Sequence, residues 1–119
     1  MQIVITDNTY IKEIQDEFQK EFPFLKIEFF KHLNKSGNST QKSQPISGKM
    51  VLGTVRHSQS EGALDIDEDR TVEEVENECR SKFGLHSQVF RKSGNMWIET
   101  SLTSHWTLRR QNLEGQQMS

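Results

Sequence analysis

The sequence predicts an α+β domain: a two-layer sandwich in which two helices cover one face of a largely antiparallel sheet. Three observations carry that expectation. Residues 11–22 and 72–83 each space their large apolar side chains 3, 4 and 4 apart, which gathers them on one helical stripe. Strand-like runs flank each of these segments. The whole pattern then recurs at a shift of 61 residues.

The elements follow in order. The β-branched run "QIVIT" (2–6) begins a strand, and "TDN" supplies helix-capping side chains. Ile11, Ile14, Phe18 and Phe22 form the first helical stripe, and Pro23 ends that helix. "FLKIEFFK" (24–31) reads as a strand. Residues 34–49 carry one large apolar side chain, Ile46, too little burial to offset ordering, and are expected to be a flexible internal loop. "MVLGTVRH" (50–57) reads as a strand weakened by Gly53, and "ALDID" (63–67) alternates like a half-buried strand. Thr71 and Glu74 make a capping box for a helix carrying Val72, Val75, Cys79 and Phe83, with Gly84 at its end. "SQVFR" (87–91) and "NMWIETS" (95–101) are strands joined by the turn "KSGN". Residues 1–103 thus read as one domain. "SHWTLRRQN" is a short final helix capped by Ser104, and the last eleven residues are a polar tail expected to fray.

The shift of 61 matches Ile3 with Leu64, Ile5 with Ile66, Ile11 with Val72, Ile14 with Val75, Phe18 with Cys79, Phe22 with Phe83, Phe24 with Leu85 and Phe29 with Phe90. It fails at Ile27 against Gln88 and at Glu28 against Val89. The unit reads strand–helix–strand with a further strand after the turn. Two such units resemble, in topology, the ferredoxin-like arrangement of duplicated β-α-β-β units over about residues 2–101. The alternative is a β-grasp (ubiquitin-like) core at 50–101 with an N-terminal β-α-β extension. "ALDIDEDRTVEEV" looks like that family's second strand running into its helix, but the helix at 9–22 then has no role.

Fifteen cations against 17 anions leave a net charge of -2, which gives no general pull toward nucleic acid or anionic lipid. A single cysteine, Cys79, rules out an intrachain disulfide and fits a reducing, cytoplasmic setting. No run is long and apolar enough for a membrane span, and "MQIVITDN" does not read as a signal peptide, so no membrane partner is expected.

Phe90, Arg91, Lys92 and Trp97 lie close together on paired strands, a combination that can stack single-stranded bases. The plainer reading makes Trp97 a buried sheet aromatic. Trp106 with Arg109 and Arg110 suits a protein interface or a helix anchor. Asp65, Asp67, Asp69, Glu73 and Glu76 mimic a calcium loop, but Arg70 stands where that loop needs glycine. His32, His57, His86 and His105 are not spaced as helical metal ligands, and Cys79 lies on an apolar stripe. No metal and no cofactor are expected. These features favour a non-catalytic protein-interaction domain, homodimeric through an open sheet face or edge. Single-stranded nucleic-acid binding is the alternative. A small-ligand enzyme using His86 or His105 with Glu99 comes third.

Overall fold

The computed structural model describes residues 1–31, 44–56 and 60–119. Its radius of gyration, 13.7 Å, is that of one compact body of this length. Strand β1 (Gln2–Ile5) leads to helix α1 (Ile11–Glu21) and strand β2 (Leu25–Phe30). A short helix α2 (Leu52–Val55) precedes strand β3 (Gly62–Asp65), helix α3 (Val72–Phe83) and the hairpin β4 (His86–Ser93) and β5 (Met96–Glu99). A 3-10 turn (Ser101–Thr103) precedes helix α4 (Leu108–Met118). The capping box of α3 forms as expected: Glu74 N donates to Thr71 Oγ1 at 3.1 Å and Thr71 N to Glu74 Oε1 at 2.9 Å. Gly84 and Gly94 take φ of 67 and 60, the left-handed region that the helix end and the hairpin turn require.

The expected single sheet is instead two antiparallel sheets, β1–β3 and β2–β4–β5. They share one core, in which Ile3, Ile5, Leu64 and Ile66 meet Leu25, Ile27, Phe29 and Val89 together with the stripes of α1 and α3. The β2–β4 pairing departs from the order expected of two ferredoxin-like units in one sheet. Arg70 occupies the outer edge of β3, donating to Asp65 O at 2.8 Å. The β-grasp alternative loses its first strand, because residues 52–55 are helical.

That helix replaces an expected strand for a tertiary reason. Leu52 is fully buried, and the amides of Leu52 and Gly53 donate to Thr9 O and Asp7 O at 2.9 and 3.0 Å. Gly53 permits the approach, since a Cβ there would lie 3.1 Å from Asp7 O. The tail expected to fray is α4, capped by Thr107 rather than Ser104. It docks through buried Leu108, Gln111 and Gly115, and a Cβ on Gly115 would collide with Phe24 at 2.8 Å. Of the expected flexible loop, residues 34–43 lie outside the described residues. Its remainder is held: Ile46 is buried and donates to Phe29 O at 2.7 Å, and Gly48 O accepts from Lys12 N at 3.0 Å.

The two halves repeat one another in the bonds that join their helix starts. In the first, Ile11 N and Lys12 N donate to Met50 O and Gly48 O, while Leu52 N and Gly53 N donate to Thr9 O and Asp7 O. In the second, Val72 N and Glu73 N donate to Trp106 O and Ser104 O, while Leu108 N and Arg109 N donate to Arg70 O and Glu68 O. The shift is 61 through the first strand and helix and becomes 60 in the second strand. There Leu25 rather than Phe24 matches Leu85, and Phe29 matches Val89 rather than Phe90, since Ile46 N to Phe29 O corresponds to Thr100 N to Val89 O. This one-residue slip accounts for the mismatch of Ile27 with Gln88. Counterparts also face each other in the ladders, Ile3 opposite Leu64 and Glu28 opposite Gln88.

Phe18 and Phe83 have no accessible surface, so Phe18→Ala or Phe83→Ala should each lower the unfolding free energy by about 3–5 kcal/mol in urea titrations. Deleting residues 108–119 should cost more than Leu108→Ala, itself about 2–5 kcal/mol. A truncated chain of unchanged stability would contradict the docking of α4.

Candidate functional site

The six residues singled out by the sequence fall into three separate places. Strand alternation puts Lys26, Phe90, Lys92, Trp97 and Glu99 on one face of the larger sheet, since the ladder opposes Lys26 to Phe90, Phe90 to Glu99 and Lys92 to Trp97. Lys26 Nζ lies 5.3 Å from both the Phe90 and the Trp97 ring centroids. An internal cation therefore already occupies the position that a stacking partner would use.

Arg91 points to the opposite face, beneath α4. Its Nη1 donates to Gln111 Oε1 at 2.7 Å, and its guanidinium lies 5.5 Å from the Trp106 ring. Gln111 Nε2 donates onward to Thr103 O and Oγ1 at 2.8 and 2.9 Å. Arg110 lies over the Trp106 ring at 3.7 Å. Trp106 and Arg91 thus join the last helix to β4. Arg109 turns away to Glu68 and Asp69, at 2.7 and 2.6 Å, and its hydrogen bonds to Glu68 and then Asp69 raise its pKa.

The acidic run is local architecture. Asp67 N donates to Asp65 Oδ1 and Asp69 N to Asp67 Oδ1, both at 2.9 Å, so these carboxylates fold back onto their own backbone. Among the described residues no three His, Cys, Asp or Glu side chains gather as a metal would need. His32 and His57 lie outside the described residues. Glu99 sits opposite Phe90, four residues along β4 from His86, or about 13 Å.

A groove of about 470 Å³ that no sequence motif announces lies between β1 and α1. Gln2, Val4 and Thr6 form its strand side, Thr9 one end, and Glu13, Asp16 and Glu17 its helix side. The ladder sets the direction of the backbone there. Ile66 N donates to Met1 O, so the inward-bonded positions of β1 are odd, and the N–H and C=O groups of Gln2 and Val4 point outward. Val4 is 65% exposed. Two of the three carboxylates are engaged, Glu13 by Tyr10 N and Asp16 by Lys12. Glu17 has no partner among the described residues.

Cys79 is buried, and burial pushes its thiol up to about 12, outweighing a lowering influence of the nearby Ser87 hydroxyl. The fold therefore favours the neutral thiol. That contribution is complete below the ordinary value of 9.0 and is lost as pH rises from there to about 12. Stability measured across that range should fall in the wild type more than in Cys79→Ala, and a thiol reagent at pH 8 should react only as fast as the chain unfolds. No protein-family model, curated protein or solved structure matches the chain, so the groove is interpreted from its own chemistry.

Proposed function

We propose that this is a non-catalytic protein-interaction domain that takes up an extended segment of a partner protein along the outer edge of β1. The observation that carries the reading is the pair of outward-facing residues, Gln2 and Val4, whose backbone groups look into a groove walled by α1. A strand added there gains main-chain hydrogen bonds, and the groove receives its alternate side chains. Edge strands are ordinarily blunted by proline, lysine or a covering element, and "QIVI" carries neither of those residues.

The carboxylates at 13, 16 and 17 favour a basic segment. They disfavour a symmetric dimer at this edge, which would bring two acidic walls together, so the expected homodimer would need another surface. Nucleic acid is the weaker reading, because Lys26 lies over both candidate rings and Glu28 and Glu99 share their face. A cytoplasmic setting goes with this proposal, since the lone thiol is buried and unpaired. The ferredoxin-like kinship is proposed for the order of elements only.

The test is a titration of ¹⁵N-labelled protein with a short alternating threonine–valine peptide that carries one central basic residue. The amides of Gln2 and Val4 should shift and exchange more slowly with solvent, and Val4→Pro should abolish the effect. Quenching of Trp97 by a single-stranded oligonucleotide with steep salt dependence, and no response at β1, would overturn the proposal.

A further inference from the structure

We infer that the groove between β1 and α1 is an arginine site, built to hold one guanidinium of the partner's extended segment. This inference rests on the strand-edge reading above and specifies its ligand. In the other half of the chain the equivalent groove is already filled.

There Arg70 Nη1 donates to Asp65 O at 2.8 Å and to Glu78 Oε1 at 2.7 Å, with both side chains only 21% exposed. The shift of 61 carries these three residues onto Thr9, Val4 and Glu17. All three line the open groove. The backbones correspond as well. Thr9 N donates to Thr6 O at 3.1 Å, and Arg70 N to Asp67 O at 3.0 Å. Thr9 O accepts from Leu52 N, as Arg70 O does from Leu108 N.

The first half therefore keeps the carbonyl and the carboxylate that bind a guanidinium in the second half, but it lacks the arginine. Thr9 is too short to reach them, and its hydroxyl accepts from Thr6 N at 3.0 Å instead. Glu17 is left unpartnered among the described residues. A carbonyl oxygen has two lone pairs, so Val4 O can accept a partner amide and a guanidinium together. In the filled groove one guanidinium nitrogen, Nη1, makes both bonds, and the planar group fixes the directions of its two hydrogens, whereas lysine offers a compact point charge. The ligand named by the occupant of the second groove is therefore arginine.

The probes are three forms of one acetylated threonine–valine peptide, with arginine, lysine or citrulline at the centre, titrated into the labelled full chain. The arginine form should shift Val4, Thr9 and Glu17, and the lysine and citrulline forms should bind at least tenfold more weakly. Glu17→Gln should weaken the arginine form at least tenfold. Thr9→Arg should supply the missing side chain from within and abolish binding while the spectrum stays folded. Equal binding of the arginine and lysine forms would overturn the arginine assignment and leave the strand-edge reading standing. No shift with any form would overturn both. Undiminished binding to a folded Thr9→Arg would show that the two grooves are not equivalent, which removes the basis of the inference. Should that variant fail to fold, the Glu17→Gln titration decides alone, with unchanged affinity as the refuting result.

Discussion

Each half of this protein depends on one reciprocal clasp, in which the first turn of a long helix and the first turn of a second helix satisfy one another. A helix start leaves its leading amides without intrahelical partners. In α3 all four are accounted for. Thr71 N goes to Glu74, Val72 N and Glu73 N go to carbonyls ahead of α4, and Glu74 N goes back to Thr71. The carbonyls of Arg70 and Glu68 then serve the start of α4. Neither helix start is complete without the other. That explains how a helix of four residues, α2, persists in the first half when helices so short do not stand alone.

The parts of the fold legible in the sequence were those governed by local spacing. The stripes of α1 and α3, the capping box at Thr71 and Glu74, and the Gly94 turn each declare themselves within a dozen residues. The parts that were not legible depend on distant partners. "VLGTV" has strand propensity, and only the carbonyls of Asp7 and Thr9 make it helical. The final helix is expected over 104–112, and residues 109–119 look like a tail, because the contacts of this segment are largely polar or close-packed. Gln111 is buried by bonding Thr103 and Arg91, and Gly115 by lying against Phe24. The repeat was visible, but a rigid shift concealed the slip that puts Leu85 opposite the role of Leu25.

The candidate site was legible in a different proportion. Proximity along the chain suggested that residues 90–97 act together, yet adjacent strand residues face opposite ways. Arg91 consequently belongs to the helix side with Gln111, and Phe90 to the other side with Lys26. The groove could not be read because it exists only where one edge of a short ribbon stays unpaired beside a helix. Its ingredients were nonetheless present: outward positions in "QIVI", carboxylates at 13, 16 and 17, and a threonine where the second half has arginine.

The electrostatics of the two grooves explain how one can be closed by an internal cation and the other stand open. Glu78 is about four-fifths covered, and a carboxylate so placed is costly unless a hydrogen-bonded cation accompanies it, which Arg70 does from eight residues away. Glu17 stands in an exposed groove, where water solvates its charge and no internal cation is required. Replacing the arginine by Thr9 is therefore tolerated only where the accompanying carboxylate remains wet. The same condition leaves Glu17 in a state that an incoming guanidinium could improve, since covering the groove strengthens the attraction as water is excluded. At this pair of grooves the decisive difference between the halves is one side chain, Thr9 against Arg70, and the internal contact of the second half has no internal counterpart in the first.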